Sequence, residues 1–296
     1  MAIIPNFYLN AVVAIGCDGT DGEKHWIGTG FIVGRKDAIN SKNSTYYIIT
    51  NKHVITPQKY VYIRFNSLGD TLVKDYRIDL YNKVGEPMFS AHPNDKTDVI
   101  ALQISPKTLI DDKSIWGAFD LSENALTLEQ MQTTGVEEGH LVYALGFPMN
   151  LVDSIKVPIC RLGCISRVTD AFILKNSTPL FLVDAQTFPG NSGGPIVSRS
   201  ELISINGTPQ ITSSNLIGIL SAYIPYKETL YSRQTGRSRM IQEENSGLTI
   251  VHPVDRIKEV VELEWNRIEQ QKSVVVKESV AAYQETKEGV AVCHQK

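Results

Sequence analysis

Short runs of β-branched and aromatic residues, separated by Gly, Pro, Asn and Asp, fill most of the first 250 residues of this 296-residue chain. Such runs are typical of β-strands that end in tight turns. The clearest of them are residues 11–15, 31–33, 46–49, 60–65, 99–104, 140–145, 180–183 and 216–220. A series of many short strands favours antiparallel barrels or a sandwich.

A helical pattern is found only near the C-terminus. Pro253 is suited to the first turn of a helix, and apolar residues follow it at spacings of three, four and seven. These positions are Val254, Ile257, Val261 and Ile268. We therefore predict an amphipathic helix over 253–271 that docks on the β-rich body. The Lys/Glu-rich segment 273–296 receives no structural assignment.

The composition limits the classes of partner and compartment. With 29 Lys and Arg against 32 Asp and Glu, the net charge is −3, too small to attract nucleic acid or anionic lipid over a distance. No run reaches the roughly 18 apolar residues of a membrane span, and the N-terminus lacks the pattern of a signal peptide. Four cysteines are too few for a disulfide scaffold. We expect a cytoplasmic protein without a nucleic-acid or membrane partner.

The most informative string runs from Phe188 to Pro195 and reads FPGNSGGP. A serine hydroxyl needs activation to act as a nucleophile, and a glycine-rich turn can point backbone N–H groups at one spot. We expect Ser192 to be the nucleophile and the segment Gly190, Asn191 and Ser192 to form an oxyanion hole, through the N–H groups of Gly190 and Ser192. The alternative interpretation is a glycine-rich hairpin turn.

Two upstream strings supply partners for this serine. His53 follows an apolar strand, and a histidine can accept the serine proton and return it to a leaving amine. Asp98 directly precedes the apolar run of residues 99–102, where it can hold an imidazole in one tautomer. Asp95 is the local alternative to Asp98.

In the order His, Asp, Ser, these strings resemble the trypsin-like (chymotrypsin-fold) serine peptidases, especially the bacterial branch of the HtrA/DegP-type peptidase domains. Further pieces resemble the family in the same order, and the likeness extends over about residues 8–270. These pieces are residues 28–33, 144–148, 218–222 and 247–254. The resemblance implies an all-β fold of two antiparallel six-stranded β-barrels with a C-terminal α-helix.

The resemblance also implies a domain plan and a mechanism. A peptidase domain would occupy 1–270, with its first barrel at about 8–115, its second at about 138–252 and the helix after it. The triad His53, Asp98 and Ser192 would hydrolyse a protein or peptide substrate through an acyl-enzyme. This chemistry requires no metal ion and no organic cofactor.

Three features depart from the family pattern. Asn191 cannot form the charge pair that an acid before the nucleophile makes in members activated by proteolysis, so we expect no activation of that kind. Too few residues follow Pro253 for the PDZ domain of HtrA proteins, so none is expected. Gln186 stands where tryptic members carry an acid, so we expect a preference for small or apolar side chains. We assign the substrate-binding residues as Gln186, Phe188, Ser221, Ala222 and Tyr223.

The long polar segment between Ala222 and Gly247, which includes Arg233, Arg237 and Arg239, lies where the family borders its substrate cleft. It is interpreted either as a specificity or lid loop, or as a disordered insertion with a solvated charge cluster.

An active serine endopeptidase is the leading functional hypothesis. The alternatives are a catalytically silent peptidase-fold binding or scaffold protein, and an effector protease that is active only when a protein partner orders its loops.

Overall fold

The computed structural model describes residues 4–37, 43–152, 156–174, 179–201 and 208–293, with side chains as far as residue 273. The order of elements follows the sequence prediction, with many short strands first and one long helix last. No helix in these ranges is both long enough and apolar enough to cross a lipid bilayer.

The N-terminal half forms a nine-stranded sheet in the order β5-β4-β1-β2-β3-β7-β6, with β8 paired to β4 and β9 paired in parallel to β2. Along β4 the side chains alternate between buried and half-buried, as expected for a strand with one face on a core. The strands are β1 (Val12–Asp18), β2 (Lys24–Lys36), β3 (Ser44–Thr50), β4 (Tyr60–Ser67), β5 (Val73–Asp79), β6 (Ser90–Ala91), β7 (Ile100–Ile104), β8 (Ser114–Ile115) and β9 (Phe119–Asp120).

The C-terminal half forms a closed antiparallel barrel in the order β10-β11-β12-β15-β14-β13. Closure leaves the barrel section of these strands without free edges. The strands are β10 (Leu141–Gly146), β11 (Ile159–Arg167), β12 (Phe181–Asp184), β13 (Pro195–Ser198), β14 (Leu216–Tyr231) and β15 (Ser238–Pro253).

In the described part of the chain, five short α-helices, one long α-helix and a 3₁₀ turn at Pro148–Asn150 complete the fold. The α-helices are α1 (Asn6–Ala11), α2 (Lys52–Ile55), α3 (Pro106–Asp111), α4 (Leu128–Thr134), α5 (Thr169–Ile173) and α6 (Val254–Cys293). In α6 the buried apolar face comprises Val254, Ile257, Val260 and Val261. The carboxylate of Glu264 is also buried there, and it accepts hydrogen bonds from Ser90 and Arg267.

One hydrophobic cluster joins the two halves. It contains Phe31 and Val33 of the N-terminal sheet together with Leu145 and Val197 of the barrel and Val254 of α6. One further cluster fills the interior of the barrel, and another fills the interior of the N-terminal half. The interface between the halves is therefore a packed core, and side chains that meet there are held in defined positions.

The predicted fold class is confirmed: the chain is mostly β, with one closed six-stranded barrel, a second sheet and a C-terminal helix, as in a chymotrypsin-like double barrel. Two boundaries differ from the sequence prediction. The helix does not end near residue 271 but continues to Cys293, although the side chains after residue 273 lie outside the described set. The segment between Ala222 and Gly247 is a paired β-ribbon rather than a loop or a disordered insertion, because β14 and β15 pair as far as Tyr231 and Ser238.

A buried lysine ties the connection after β10 to the N-terminal sheet. The Nζ atom of Lys156 donates to the carbonyl of Val12 at 2.6 Å and to that of Asn10 at 3.3 Å. The side chain of Asn66 bonds both the N–H and the carbonyl of Lys156. Burial lowers the pKa of Lys156 to about 7. A neutral amine retains two hydrogens, which match the two carbonyls.

We predict that Lys156 makes stability depend on pH above neutrality. The unfolded chain keeps the lysine proton up to about pH 10.4, whereas the folded protein releases it near pH 7, so the free energy of unfolding rises with pH in that window. Relative to Lys156→Met, the wild type should gain up to about 1.4 kcal/mol per pH unit. Urea denaturation at pH 7, 8 and 9 measures this difference. A constant difference would mean that Lys156 remains charged in the folded state.

Candidate active site

The three residues singled out from the sequence lie at the ends of secondary-structure elements. His53 lies in α2, directly after β3, and Asp98 lies two residues before β7. Ser192 lies in the turn between β12 and β13. Each side chain therefore projects from the end of an ordered element near the interface of the two halves.

His53 and Asp98 form a direct pair. The Nδ1 atom of His53 lies 2.5 Å from Oδ2 of Asp98, and the backbone N–H of His53 donates to Oδ1 of Asp98 at 3.1 Å. Asp95 does not occupy this place, since its carboxylate is fully exposed and lies 3.9 Å from Nζ of Lys52. The structure thus distinguishes between the two acids that the sequence left open.

The carboxylate of Asp98 is held ionised by several donors. Burial opposes its charge, but the hydrogen bonds from His53 and from the Ser221 hydroxyl outweigh burial, so the pKa of Asp98 lies below its ordinary value. Asn51 donates to the backbone carbonyl of Asp98 at 2.6 Å. These contacts fix both the charge and the orientation of the residue that faces the imidazole.

A second histidine supports the backbone of Asp98. The N–H of Asp98 donates to Nε2 of His252 at 3.2 Å, so Nε2 carries no proton. His252 is buried in β15, and burial lowers its pKa to about 4. The neutral imidazole of His252 therefore remains a hydrogen-bond acceptor at physiological pH.

Ser192 and His53 line the same cavity, which has a volume of about 380 Å³. The hydroxyl of Ser192 donates to the carbonyl of Ser221 at 3.1 Å. Within the described part of the chain, no hydrogen bond joins Ser192 Oγ to the ring of His53. Rotation about the Cα–Cβ bond of Ser192 would move its hydroxyl oxygen away from this carbonyl.

Four of the five residues assigned to substrate binding line this cavity, namely Phe188, Ser221, Ala222 and Tyr223. Gln186, the fifth, is exposed and is not part of the lining, whereas its buried neighbour Thr187 is. Thr187 is turned inward by a 2.8 Å hydrogen bond to the hydroxyl of Thr249.

The turn that carries Ser192 is held through its carbonyl groups. All five successive carbonyls from Phe188 to Ser192 accept a hydrogen bond. The donors are, in order, the N–H of Asn191, the N–H of Met149, the hydroxyl of Thr29, the N–H of Gly194 and the N–H of Thr29. In a trans peptide the N–H points opposite to the carbonyl, so each fixed carbonyl also fixes the following N–H.

Two N–H groups of this turn are left for a ligand. Those of Gly190 and Ser192 have no acceptor among the residues that the structure describes, whereas that of Asn191 is used by the carbonyl of Phe188. Gly190 has φ of 98°, and a Cβ there would lie 2.4 Å from the carbonyl oxygen of Phe147, so only glycine fits. The arrangement provides two donors beside the serine hydroxyl.

Thr29 links the two halves at this turn. Its hydroxyl donates to Gly190 O at 2.6 Å and accepts from the N–H of Phe147 at 3.0 Å. Its backbone N–H donates to Ser192 O, and its carbonyl accepts from the hydroxyl of Thr50. Every polar group of this fully buried residue is used.

Comparison with protein families assigns the chain. The sequence model described as "trypsin-like peptidase domain" matches residues 28–203, which is more than half of the chain. The chain belongs to the trypsin-like peptidase family. The matched span of this trypsin-like peptidase contains His53, Asp98 and Ser192.

Among solved structures, the crystal structure of the Rv3671c protease in its inactive form is similar, with 15% sequence identity and a TM-score of 0.40, over 86% of this chain and 89% of that chain. No curated protein matches the sequence.

The described residues contain no group of three or more His, Cys, Asp or Glu side chains placed to hold a metal ion.

Several residues of the site cannot be identified from the sequence alone. Thr29 and His252 lie inside strings that resemble the family, but nothing in those strings shows which neighbour their side chains contact. Met149 likewise carries no local signal. Thr187 lies beyond the end of β12 at Asp184, so strand alternation does not show that it, rather than Gln186, faces inward.

We predict that the hydroxyl of Thr29 stabilises the folded protein. Thr29→Val keeps the shape of the side chain but leaves the buried N–H of Phe147 and the buried carbonyl of Gly190 unpaired, at a cost of roughly 1–3 kcal/mol. Thr29→Ser keeps both hydrogen bonds and is the matched control. Urea denaturation compares the two, and equal stability of the variants would contradict this role.

Proposed function

We propose that this trypsin-like peptidase is a serine endopeptidase that hydrolyses peptide bonds through an acyl-enzyme. The observation that carries the proposal is the pairing of His53 with Asp98 at a cavity that Ser192 also lines. A hydroxyl, an imidazole and a carboxylate in this order are the groups that acyl transfer requires.

In the proposed mechanism, Ser192 Oγ attacks the carbonyl carbon of the substrate while Nε2 of His53 accepts its proton. Asp98 keeps the proton of His53 on Nδ1 and stabilises the imidazolium that forms. His53 then protonates the leaving amine, and a water molecule hydrolyses the acyl-enzyme by the reverse route.

Substrate binding is proposed to release the serine for this attack. In this structure the Ser192 hydroxyl donates a hydrogen bond to the carbonyl of Ser221. A backbone N–H of an incoming peptide that bonds this carbonyl would displace the hydroxyl toward His53. The N–H groups of Gly190 and Ser192 would receive the oxyanion, and one such donor is worth about 3–4 kcal/mol of the barrier elsewhere.

The cavity favours a small or apolar side chain before the scissile bond. Apart from His53, its lining has no ionisable side chain other than the phenol of Tyr223, and it includes Phe188, Leu220 and Ala222. A charged side chain would lose its hydration there without gaining a partner. The proposed reaction needs no metal ion or organic cofactor, because the triad supplies the nucleophile and the proton transfer.

The silent scaffold and the partner-activated effector remain the alternatives to this proposal. A cytoplasmic location, a bacterial origin and an activating protein partner stay predictions of the sequence.

A fluorophosphonate probe tests the nucleophile. The wild type should be labelled, and Ser192→Ala should lose all labelling because the attacking oxygen is absent. Ser166→Ala, which removes an exposed serine of β11, is the matched control and should be labelled like the wild type. A folded wild type that resists the probe under every condition would favour the scaffold, and labelling only with a partner present would favour the effector.

Substitution of the two candidate acids tests the orienting carboxylate. Asp98→Asn should lower kcat by roughly 10⁴-fold, because the amide no longer holds the productive tautomer of the histidine. Asp95→Asn should stay near the wild-type rate, since the Asp95 carboxylate is fully exposed and lies near Lys52 rather than near His53. Steady-state kinetics on a fluorogenic peptide measures both, and a comparable loss in the two variants would refute the assignment of Asp98.

A further inference from the structure

The strand β14 has one open edge over most of its length. It pairs with β13 only from Leu216 to Ile219, whereas it pairs with β15 from Gly218 to Tyr231. From Ser221 onward, the side of β14 opposite β15 therefore has no strand partner among the described residues. An edge strand of this kind presents N–H and carbonyl groups that can pair with another extended chain.

This open edge begins at the candidate active site. Ser221, Ala222 and Tyr223 line the cavity, and the carbonyl of Ser221 is the present acceptor of the Ser192 hydroxyl. An extended peptide with its scissile bond at Ser192 would thus lie directly at the start of the open edge. The edge extends for about 33 Å beyond Ser221, at ~3.3 Å per residue.

The acyl half of the substrate is the half that would follow this edge. His53 protonates the leaving amine in the proposed mechanism, so the leaving half departs on the side of His53. The acyl half stays bonded to Ser192 on the side of Ser221 and must be held until water attacks.

Backbone contacts indicate which groups of β14 face the open edge. The hydroxyl of Ser246 in β15 donates to the carbonyl of Ile224, so Ile224 faces β15. Because successive residues of a strand point their backbone groups to opposite sides, Tyr223, Lys227 and Thr229 face the open edge. Pro225 also faces outward and offers a carbonyl but no N–H.

The outer part of the ribbon exposes apolar side chains. A two-stranded ribbon is marginally stable alone, and exposed apolar groups of this kind are typical of surfaces that bind another chain. The side chains are Tyr226, Leu230, Tyr231, Met240 and Ile241, each at least 41% exposed.

We propose that the open edge of β14 from Tyr223 to Tyr231 binds the acyl-side segment of a polypeptide substrate as an added β-strand. The inference rests on the proposed endopeptidase function and specifies its substrate: an extended chain with about ten residues before the scissile bond, apolar in the part that meets the ribbon. The occupant is the substrate itself because the edge is continuous with the cavity.

Two series of fluorogenic peptides test this inference. One lengthens the acyl side from three to six and nine residues, and the other lengthens the leaving side equally. For the wild type, kcat/KM should rise at least tenfold with acyl-side length, mainly through a lower KM, and should change less than threefold with leaving-side length. No gain on the acyl side would overturn the inference.

A variant with a shortened ribbon tests which part of β14 is responsible for the gain in kcat/KM with acyl-side length. Replacing residues 228–242 with Asn-Gly joins Lys227 to Glu243, which already face each other as a salt-bridged pair, through a two-residue hairpin turn. The three-residue substrate does not reach the deleted segment, so its cleavage reports the catalytic site alone. The variant should cleave the three-residue and six-residue substrates like the wild type, because residues 223–227 of the edge remain, and should lose the further gain from six to nine residues. A gain from six to nine residues that persists in the variant would overturn the inference.

A substitution pair provides a second test that leaves the ribbon in place. Thr229→Pro removes an N–H from the open edge and should reduce the gain with length at least threefold, whereas Thr229→Ala keeps the N–H and should retain the gain. Dimerisation that Thr229→Pro abolishes, together with no effect of acyl length, would assign the edge to a second copy and overturn the inference. Failure to cleave even the three-residue peptide would refute the proposed endopeptidase function instead.

Discussion

The contact between Thr29 and the turn at Gly190 is the constraint on which the candidate active site depends. One buried hydroxyl donates to the carbonyl of Gly190 and accepts from the N–H of Phe147, while the backbone of Thr29 bonds Ser192. Thr29 belongs to the N-terminal sheet, and the turn belongs to the barrel. The geometry of the turn is therefore completed only where the two halves pack together, since neither half supplies all of the donors that hold the five carbonyls.

The acid of the candidate triad is likewise positioned by hydrogen bonds to several secondary-structure elements. Asp98 faces His53 from the segment before β7, receives the hydroxyl of Ser221 from β14, and donates its N–H to His252 of β15. A half-buried carboxylate is costly unless donors satisfy it, and here they keep its pKa low in spite of partial burial. His252 can accept that N–H only as a neutral ring, which burial ensures. The position of the carboxylate thus depends on both halves of the fold.

The ribbon of β14 and β15 is the part of the fold that is least predictable from the sequence. In the barrel, β13 and the first six residues of β14 are buried, and short apolar runs of this kind are the signal that identifies them as strands. Beyond Tyr223 most residues of the ribbon are exposed, so this part of the sequence carries no such signal and favours a loop interpretation. The pairing that forms the ribbon is nevertheless continuous with the barrel. Its free edge connects the exposed arm to the cavity beside Ser192.

The sequence by itself determined the mostly β fold and the C-terminal helix, and it predicted His53, Ser192 and one of two nearby acids as candidate site residues. It could do so because strand patterns, a glycine-rich turn and short motifs are local properties of a chain. Only the tertiary structure decided between Asp98 and Asp95, placed Thr187 rather than Gln186 in the cavity, and brought Thr29 to the turn. Those outcomes depend on which faces of distant segments meet, and burial and hydrogen-bond partners exist only after the segments have packed.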